Sequence, residues 1–142
     1  MNKIKRKIYV IGINSFKFED LSLETQDIFQ KVSNIAAPNT YITEIKEWVP
    51  KKFIEKKNFY NSKSNIDLIN WLKFIDNDVV LISRGDPLWY GIGRILLSNF
   101  SKEELLFFPA NTCLQLAFSR LKKSWQDIKA VSIHGRETTE LI

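Results

Sequence analysis

The chain has 142 residues, of which 44% are hydrophobic and 13% aromatic, and this composition is typical of one folded domain rather than a disordered chain. Its only cysteine, Cys113, excludes a disulfide within the chain, and one cysteine with one histidine cannot form a typical metal cage, so no metal site is predicted. Near the amino terminus only Ile8 to Ile13 is continuously apolar. That run is too short for a signal peptide or a membrane span, so we expect a cytoplasmic protein with no membrane partner.

The formal net charge of +5 permits an acidic partner. Much of the positive charge lies in two segments, residues 3–7 and 46–57. These segments have two interpretations: they are solvated surface, or they attract a polyanion such as a polycarboxylate. The chain has no recognisable nucleic-acid-binding motif, so nucleic acid is not predicted as a partner.

Strands and helices are predicted to alternate in the first half of the chain. In chain order the elements are a strand at Ile8–Ile13, a helix capped by Ser22, a short strand and turn over 36–42, and a helix capped by Asn65. Residues 46–63 are polar and aromatic without a clear period, so no element is assigned there.

The second half continues the alternation. Its predicted elements are a strand at Val79–Ser83, a helix over 95–100, a strand at Leu105–Phe108, a helix capped by Asn111 or Thr112, and a last strand at Lys129–His134. Strands that alternate with helices indicate an α/β fold in which helices flank a parallel sheet.

Three loops follow predicted strands, after Ile13, Ile82 and Phe108. The carboxyl ends of parallel strands lie on one edge of a sheet, so these loops can converge on one ligand. The loop after Ile82 contains Gly85 and Asp86, which supply flexible backbone and a carboxylate. From the residues alone, Asp86 is either a ligand-binding acceptor or a helix cap in an ordinary loop.

The run GDPLWYGIGR at residues 85–94 resembles the signature of the tetrapyrrole methylases. Three later runs are similar to the branch of that family that acts on corrin precursors: LQLAFSRL at 114–121, WQD at 125–127 and VSIHGR at 131–136. The resemblance extends from about Ile8 to Arg136 and is strongest after Ile82.

The family fold has two α/β domains, with the methyl donor in the cleft between them. The resemblance therefore implies that residues 1–128 form the amino-terminal methylase domain. Residues 129–142 would be the connection into a second domain that is truncated and largely absent.

The same resemblance implies an enzyme that uses S-adenosyl-L-methionine to methylate ring carbon 5, ring carbon 15 or both of a precorrin in cobalamin biosynthesis. Such a substrate is itself a carbon nucleophile, so no catalytic side chain is predicted. Two alternatives stay open: a methylase of this fold with a porphyrinogen or ribosomal RNA substrate, and a non-catalytic fragment that binds the donor weakly. We also expect a homo-oligomer.

The resemblance further implies which residues contact the methyl donor: Gly12, Ser15, Gly85, Asp86, Trp89, Thr112 and Cys113. The first loop departs from the glycine-rich family pattern at Asn14, Ser15 and Phe16. Because asparagine tolerates left-handed backbone, we expect Asn14 to preserve the turn in that conformation.

Residue type alone allows other roles at several of these positions. Trp89 also suits a core aromatic, Thr112 a helix cap, and Cys113 a small buried residue rather than a nucleophile. His134 suits a general base or, as we prefer, a structural imidazole. Arg136 is predicted to bind a substrate carboxylate, and a surface salt bridge is the alternative.

Overall fold

In the computed structural model, which describes residues 6–133, five strands form one sheet: β1 (Ile8–Ile13), β2 (Asn34–Pro38), β3 (Asn58–Ser62), β4 (Val79–Arg84) and β5 (Leu105–Phe108). The strands lie in the order β3-β2-β4-β1-β5, and all four neighbouring pairs are parallel. The parallel α/β sheet is therefore confirmed. This order places the carboxyl ends of β4, β1 and β5 side by side.

Helices α1 (Leu23–Lys31) and α2 (Ile42–Glu47) pack on one face of the sheet, and α3 (Asn65–Phe74) and α4 (Gly93–Asn99) pack on the other. Helix α5 (Cys113–Leu121) follows β5 and has no buried residue. Short 3-10 turns at Phe18–Asp20 and Lys51–Lys56 complete the described elements. The side chains of β1 divide between two buried clusters. Ile11 packs in the cluster that contains Phe29 of α1, and Val10 packs in the cluster that contains Leu72 of α3. This alternation is expected of a strand buried on both faces.

Side-chain caps fix the starts of three helices. The Ser22 hydroxyl accepts a hydrogen bond from the Thr25 N–H at 3.2 Å, which confirms the predicted cap of α1. Ser64, rather than Asn65, caps α3. Thr112 and Gln115 form a capping box at the start of α5, in which each side chain accepts from the other residue's N–H.

Two segments differ from the sequence predictions. The polar strand β3 lies within residues 46–63, where no element was assigned, and it pairs only with β2 at the edge of the sheet. The last predicted strand is wrong over 129–133, because those residues pair with no other strand in the described part of the chain. An apolar run without a neighbouring ladder cannot form a stable strand. His134 lies outside the described residues.

Within residues 6–133, every helix is too short or too polar to span a bilayer.

Candidate ligand-binding site

Three loops meet at the carboxyl edge of the sheet, where β4, β1 and β5 are neighbours. The Gly85 N–H donates to the Ile13 carbonyl at 2.9 Å, and the Ala110 N–H donates to the Gly85 carbonyl at 3.1 Å. The loop after β4 is thus bonded to the last residue of β1 and to the loop after β5. The convergence expected from a parallel sheet is present.

Two glycines make this close contact possible. A Cβ atom at Gly12 would lie 1.9 Å from the carbonyl oxygen of Gly85 and 2.8 Å from the backbone nitrogen of Ala110. Gly85 has a φ of 63°, in the left-handed region that side chains with a Cβ disfavour. Packing between the loops therefore requires glycine at position 12, and the left-handed backbone favours glycine at position 85.

Asn14 joins the first loop to the third. Its side-chain Nδ2 donates to the Asn111 carbonyl at 2.6 Å, and its Oδ1 accepts from the Asn111 N–H at 3.0 Å. Among the non-glycine residues from 6 to 133, only Tyr90 and Lys122 have positive φ, so the left-handed turn expected at Asn14 is wrong. The amide instead pairs with both backbone groups of Asn111, as a neighbouring strand would. Sequence reasoning missed this bridge, because residue 111 is 97 positions away.

An open cavity of about 520 Å³ lies over the meeting point of the loops. Its lining includes Gly12, Asn14, Asp86 and Ala110. The charged side chains that line it are Asp20 and Asp86, with no lysine or arginine among the described lining residues. We call it the acidic cavity. Its carboxylates favour a ligand that carries positive charge or hydroxyl donors.

Asp86 is positioned to receive such a ligand. Its Oδ1 accepts from the Leu88 N–H at 2.9 Å, which fixes the carboxylate over the turn at Pro87. Among the described residues, no hydrogen-bond donor reaches Oδ2. Asp86 is therefore a turn residue with an available acceptor oxygen. The alternative role as a helix cap is wrong, because α4 begins at Gly93 with Ile92 at its N-cap position.

Ser15 and Trp89 are not among the residues that line the acidic cavity. The Ser15 hydroxyl donates to the Asp20 carboxylate and accepts from the Lys17 N–H, so it orders the first loop. Trp89 is half-buried and packs edge-on against Tyr90, with ring centroids 5.0 Å apart.

Thr112 and Cys113 are also outside the lining. Thr112 is buried and serves as the cap of α5. Cys113 is exposed, so the expectation of a small buried residue is wrong. It is the first residue of α5, a helix with no buried residue. Arg136 lies outside the described residues.

The fold and this edge define an α/β domain with a candidate ligand site in the loops at the carboxyl ends of its parallel strands. The chain belongs to the Tetrapyrrole (Corrin/Porphyrin) Methylases, because the profile of that family matches residues 7–141.

Curated relatives agree with this placement. Over 131 residues the chain is 25% identical to a probable cobalt-precorrin-7 C(5)-methyltransferase of Methanocaldococcus jannaschii, a match that covers 92% of the chain and 61% of the relative. Over 58 residues it is 40% identical to a decarboxylating precorrin-6Y C(5,15)-methyltransferase of a Sinorhizobium species, which covers 41% of the chain and 14% of the relative. The chain thus spans less than two thirds of the length of these relatives.

Solved structures share the fold. The precorrin-6Y methylase of Archaeoglobus fulgidus superimposes with a TM-score of 0.64 at 20% identity, covering 92% of this chain and 65% of that one. A putative cobalamin synthesis related protein of Corynebacterium diphtheriae superimposes with a TM-score of 0.60 at 18% identity, covering 89% and 62%.

Proposed function

We propose that this chain is the donor-binding part of a methyltransferase that uses S-adenosyl-L-methionine to methylate ring carbon 5, ring carbon 15 or both of a precorrin. The observation that carries the proposal is the acidic cavity over the converged loops, in a chain that belongs to the tetrapyrrole methylases. The names of the relatives support the choice of ring carbons. In this proposal residues 1–128 form the donor domain, and residues 129–142 lead toward a second domain.

The chemistry of the acidic cavity fits this donor. When bound, S-adenosyl-L-methionine supplies a methyl group on a sulfonium, and it also carries an ammonium group and ribose hydroxyls. The Asp86 carboxylate accepts from the ammonium or a hydroxyl, and Asp20 adds negative charge that favours a cation. A volume of about 520 Å³ suits a small molecule of this kind.

Alignment is the main task of the protein in this reaction. Methyl transfer from a sulfonium to a carbon nucleophile is a direct displacement, so no side chain has to form a covalent intermediate. The hydrogen bonds that join Gly85 to Ile13, Ala110 to Gly85 and Asn14 to Asn111 hold the three loops in one arrangement. We propose that Gly12, Gly85 and Asp86 form the floor of the donor site.

The other donor contacts remain predictions with supporting roles. Ser15 orders the first loop through Asp20, and Thr112 fixes the start of α5 beside Asn111. Trp89 is half-buried and Cys113 is exposed, so both side chains are accessible to a ligand.

Asp86→Asn is expected to weaken binding of S-adenosyl-L-methionine by about tenfold, the effect of losing one charged hydrogen bond. The asparagine keeps the oxygen that accepts from the Leu88 N–H, so the turn should persist. Isothermal titration calorimetry measures the affinity. Asp76→Asn is the matched control, because Asp76 is exposed near the amino end of β4. Equal affinities for the two variants would remove Asp86 from the donor site.

The complete protein is expected to transfer label from the donor to a corrin precursor rather than to a porphyrinogen or ribosomal RNA. All three substrates should be offered in parallel with methyl-labelled donor, and the labelled carbon should be located by NMR. Label at ring carbon 5 or 15 supports the proposal. Label on RNA or porphyrinogen with none on the corrin would overturn the substrate assignment and keep the fold assignment.

A further inference from the structure

The carboxyl edge of the sheet carries a second cavity of opposite charge. It has a volume of about 400 Å³ and lies between the carboxyl ends of β2, β3 and β4. The charged side chains that line it are Lys63 and Arg84, and no carboxylate is among its described lining residues. Its other polar groups include Asn39, Ser62 and Ser64. We call it the basic cavity.

The two cavities are neighbours along the edge. A smaller cavity of about 170 Å³ shares Tyr41 and Arg84 with the basic cavity, and it shares Asn14 with the acidic cavity. The three cavities therefore lie in a row across the strand ends, and we call this row the trough. Negative charge lies at its β1–β5 end and positive charge at its β2–β3 end.

Arg84 lies at the boundary between the negatively and the positively charged ends of the trough. It is the last residue of β4 and pairs in register with Ile13 of β1, so its backbone is held by the sheet. Only Gly85 separates it from Asp86. Within residues 6–133 its guanidinium makes no hydrogen bond or ion pair, so its donors are available to a ligand.

Lys63 is a weaker partner than Arg84. Its backbone N–H donates to the Asp67 carboxylate at 3.2 Å. A hydrogen bond from the Tyr60 side chain lowers the pKa of the Asp67 carboxyl below its usual value, and a hydrogen bond from the Lys63 backbone lowers it further. Asp67 is therefore ionised at neutral pH and offsets part of the Lys63 charge. Arg84 is the dominant cation of the trough.

We propose that Arg84, assisted by Lys63, binds a carboxylate side chain of an anionic tetrapyrrole substrate. The proposal rests on the proposed function, since the acidic cavity then holds the cationic methyl donor. A guanidinium accepts a carboxylate through two parallel hydrogen bonds, which orients the substrate as well as attracting it.

The division of charge also keeps each ligand out of the wrong end. Asp20 and Asp86 disfavour a ligand with many carboxylates, whereas the donor carries one carboxylate against two positive charges. Arg84 disfavours the donor, whose net charge is positive. The two reactants would then meet along the trough.

The test measures binding of two corrins to the full chain by quenching of tryptophan fluorescence. Cobyrinic acid carries free carboxylates, and cobinamide has the same ring with its carboxylate side chains amidated. Arg84→Gln should weaken the binding of cobyrinic acid by about tenfold, the effect of losing one charged hydrogen bond. The affinity for cobinamide should be unchanged. Lys63→Gln should have a smaller effect in the same direction. Lys102→Gln is the charge-matched control, because Lys102 is exposed beside the amino end of β5.

Binding of S-adenosyl-L-methionine to the same variants separates the two proposals. Arg84→Gln should leave donor affinity unchanged or slightly higher, since it removes a positive charge. Loss of cobyrinic acid affinity in Arg84→Gln, in a complete two-domain protein that does not bind the donor, would support the carboxylate subsite and contradict the donor site. Equal cobyrinic acid affinity for Arg84→Gln and Lys102→Gln would overturn the subsite. A parent chain that binds cobyrinic acid no better than cobinamide would overturn it as well.

Discussion

Gly12→Ala is expected to lower the free energy of unfolding by about 3 kcal/mol, at the upper end of the usual cost of overpacking. The new methyl group would lie 1.9 Å from the Gly85 carbonyl oxygen and 2.8 Å from the Ala110 nitrogen. Both obstacles are backbone atoms, so no rotamer change can relieve the contact, and the loops after β4 and β5 must move apart. Urea denaturation followed by circular dichroism measures the loss.

Gly85→Ala is expected to lower the free energy of unfolding less than Gly12→Ala does, so it serves as the comparison variant. The nearest atom to its added methyl group is the Asn111 carbonyl oxygen at 3.3 Å, so the main cost is left-handed backbone, about 1–2 kcal/mol. If Gly12→Ala destabilised the chain no more than Gly85→Ala, the close packing of the three loops would be contradicted. Both variants should also lose donor affinity, because the floor of the acidic cavity is displaced.

Lys57→Met is expected to lower the free energy of unfolding by about 2–3 kcal/mol, since it leaves partly buried carbonyls without a charged donor. The Lys57 ammonium donates to the carbonyl oxygens of Phe29 at 2.8 Å, Gln30 at 2.6 Å and Val32 at 2.6 Å. These carbonyls are at the carboxyl end of α1, where they lack hydrogen-bond partners within the helix. A positive charge there also interacts favourably with the negative end of the helix dipole. Methionine retains the apolar stem and removes only the charge and donors.

Lys56→Met is the matched control for Lys57→Met. Lys56 is exposed, and its ammonium lies 5.4 Å from the centre of the Phe53 ring. An exposed contact of this kind contributes about 0.5–1 kcal/mol. Thermal unfolding should therefore give a clearly lower midpoint for Lys57→Met than for Lys56→Met. Equal midpoints would show that the Lys57 network is not needed to hold the end of α1.

Local sequence signals determined the central elements of the sheet. The strands Ile8–Ile13 and Leu105–Phe108 have the predicted bounds, and β4 extends one residue beyond the predicted Val79–Ser83. These strands are buried apolar runs, so their pattern is visible in the sequence. The helix caps Ser22 and Thr112 could also be predicted, because each side chain accepts a hydrogen bond from the N–H only three residues later.

The edges of the sheet depended on tertiary structure. Strand β3 contains Asn58, Asn61 and Ser62, and it is a strand because β2 supplies its hydrogen-bonding partner. Residues 129–133 have a better apolar pattern and lack such a partner in the part of the chain that the structure describes. Pairing with a neighbour, rather than composition, decides the state of short strands.

The family, the α/β class and the loops that surround the acidic cavity follow from the sequence alone, because they depend on local runs and on the order of strands and helices. The close packing at Gly12, the bridge from Asn14 to Asn111 and the hydrogen bonds of Lys57 to the end of α1 depend on the folded structure. The folded structure also decided that Arg84 lines a trough with Lys63. Each of these contacts joins residues far apart in the chain, and their separation becomes short only after the strands take their places in the sheet.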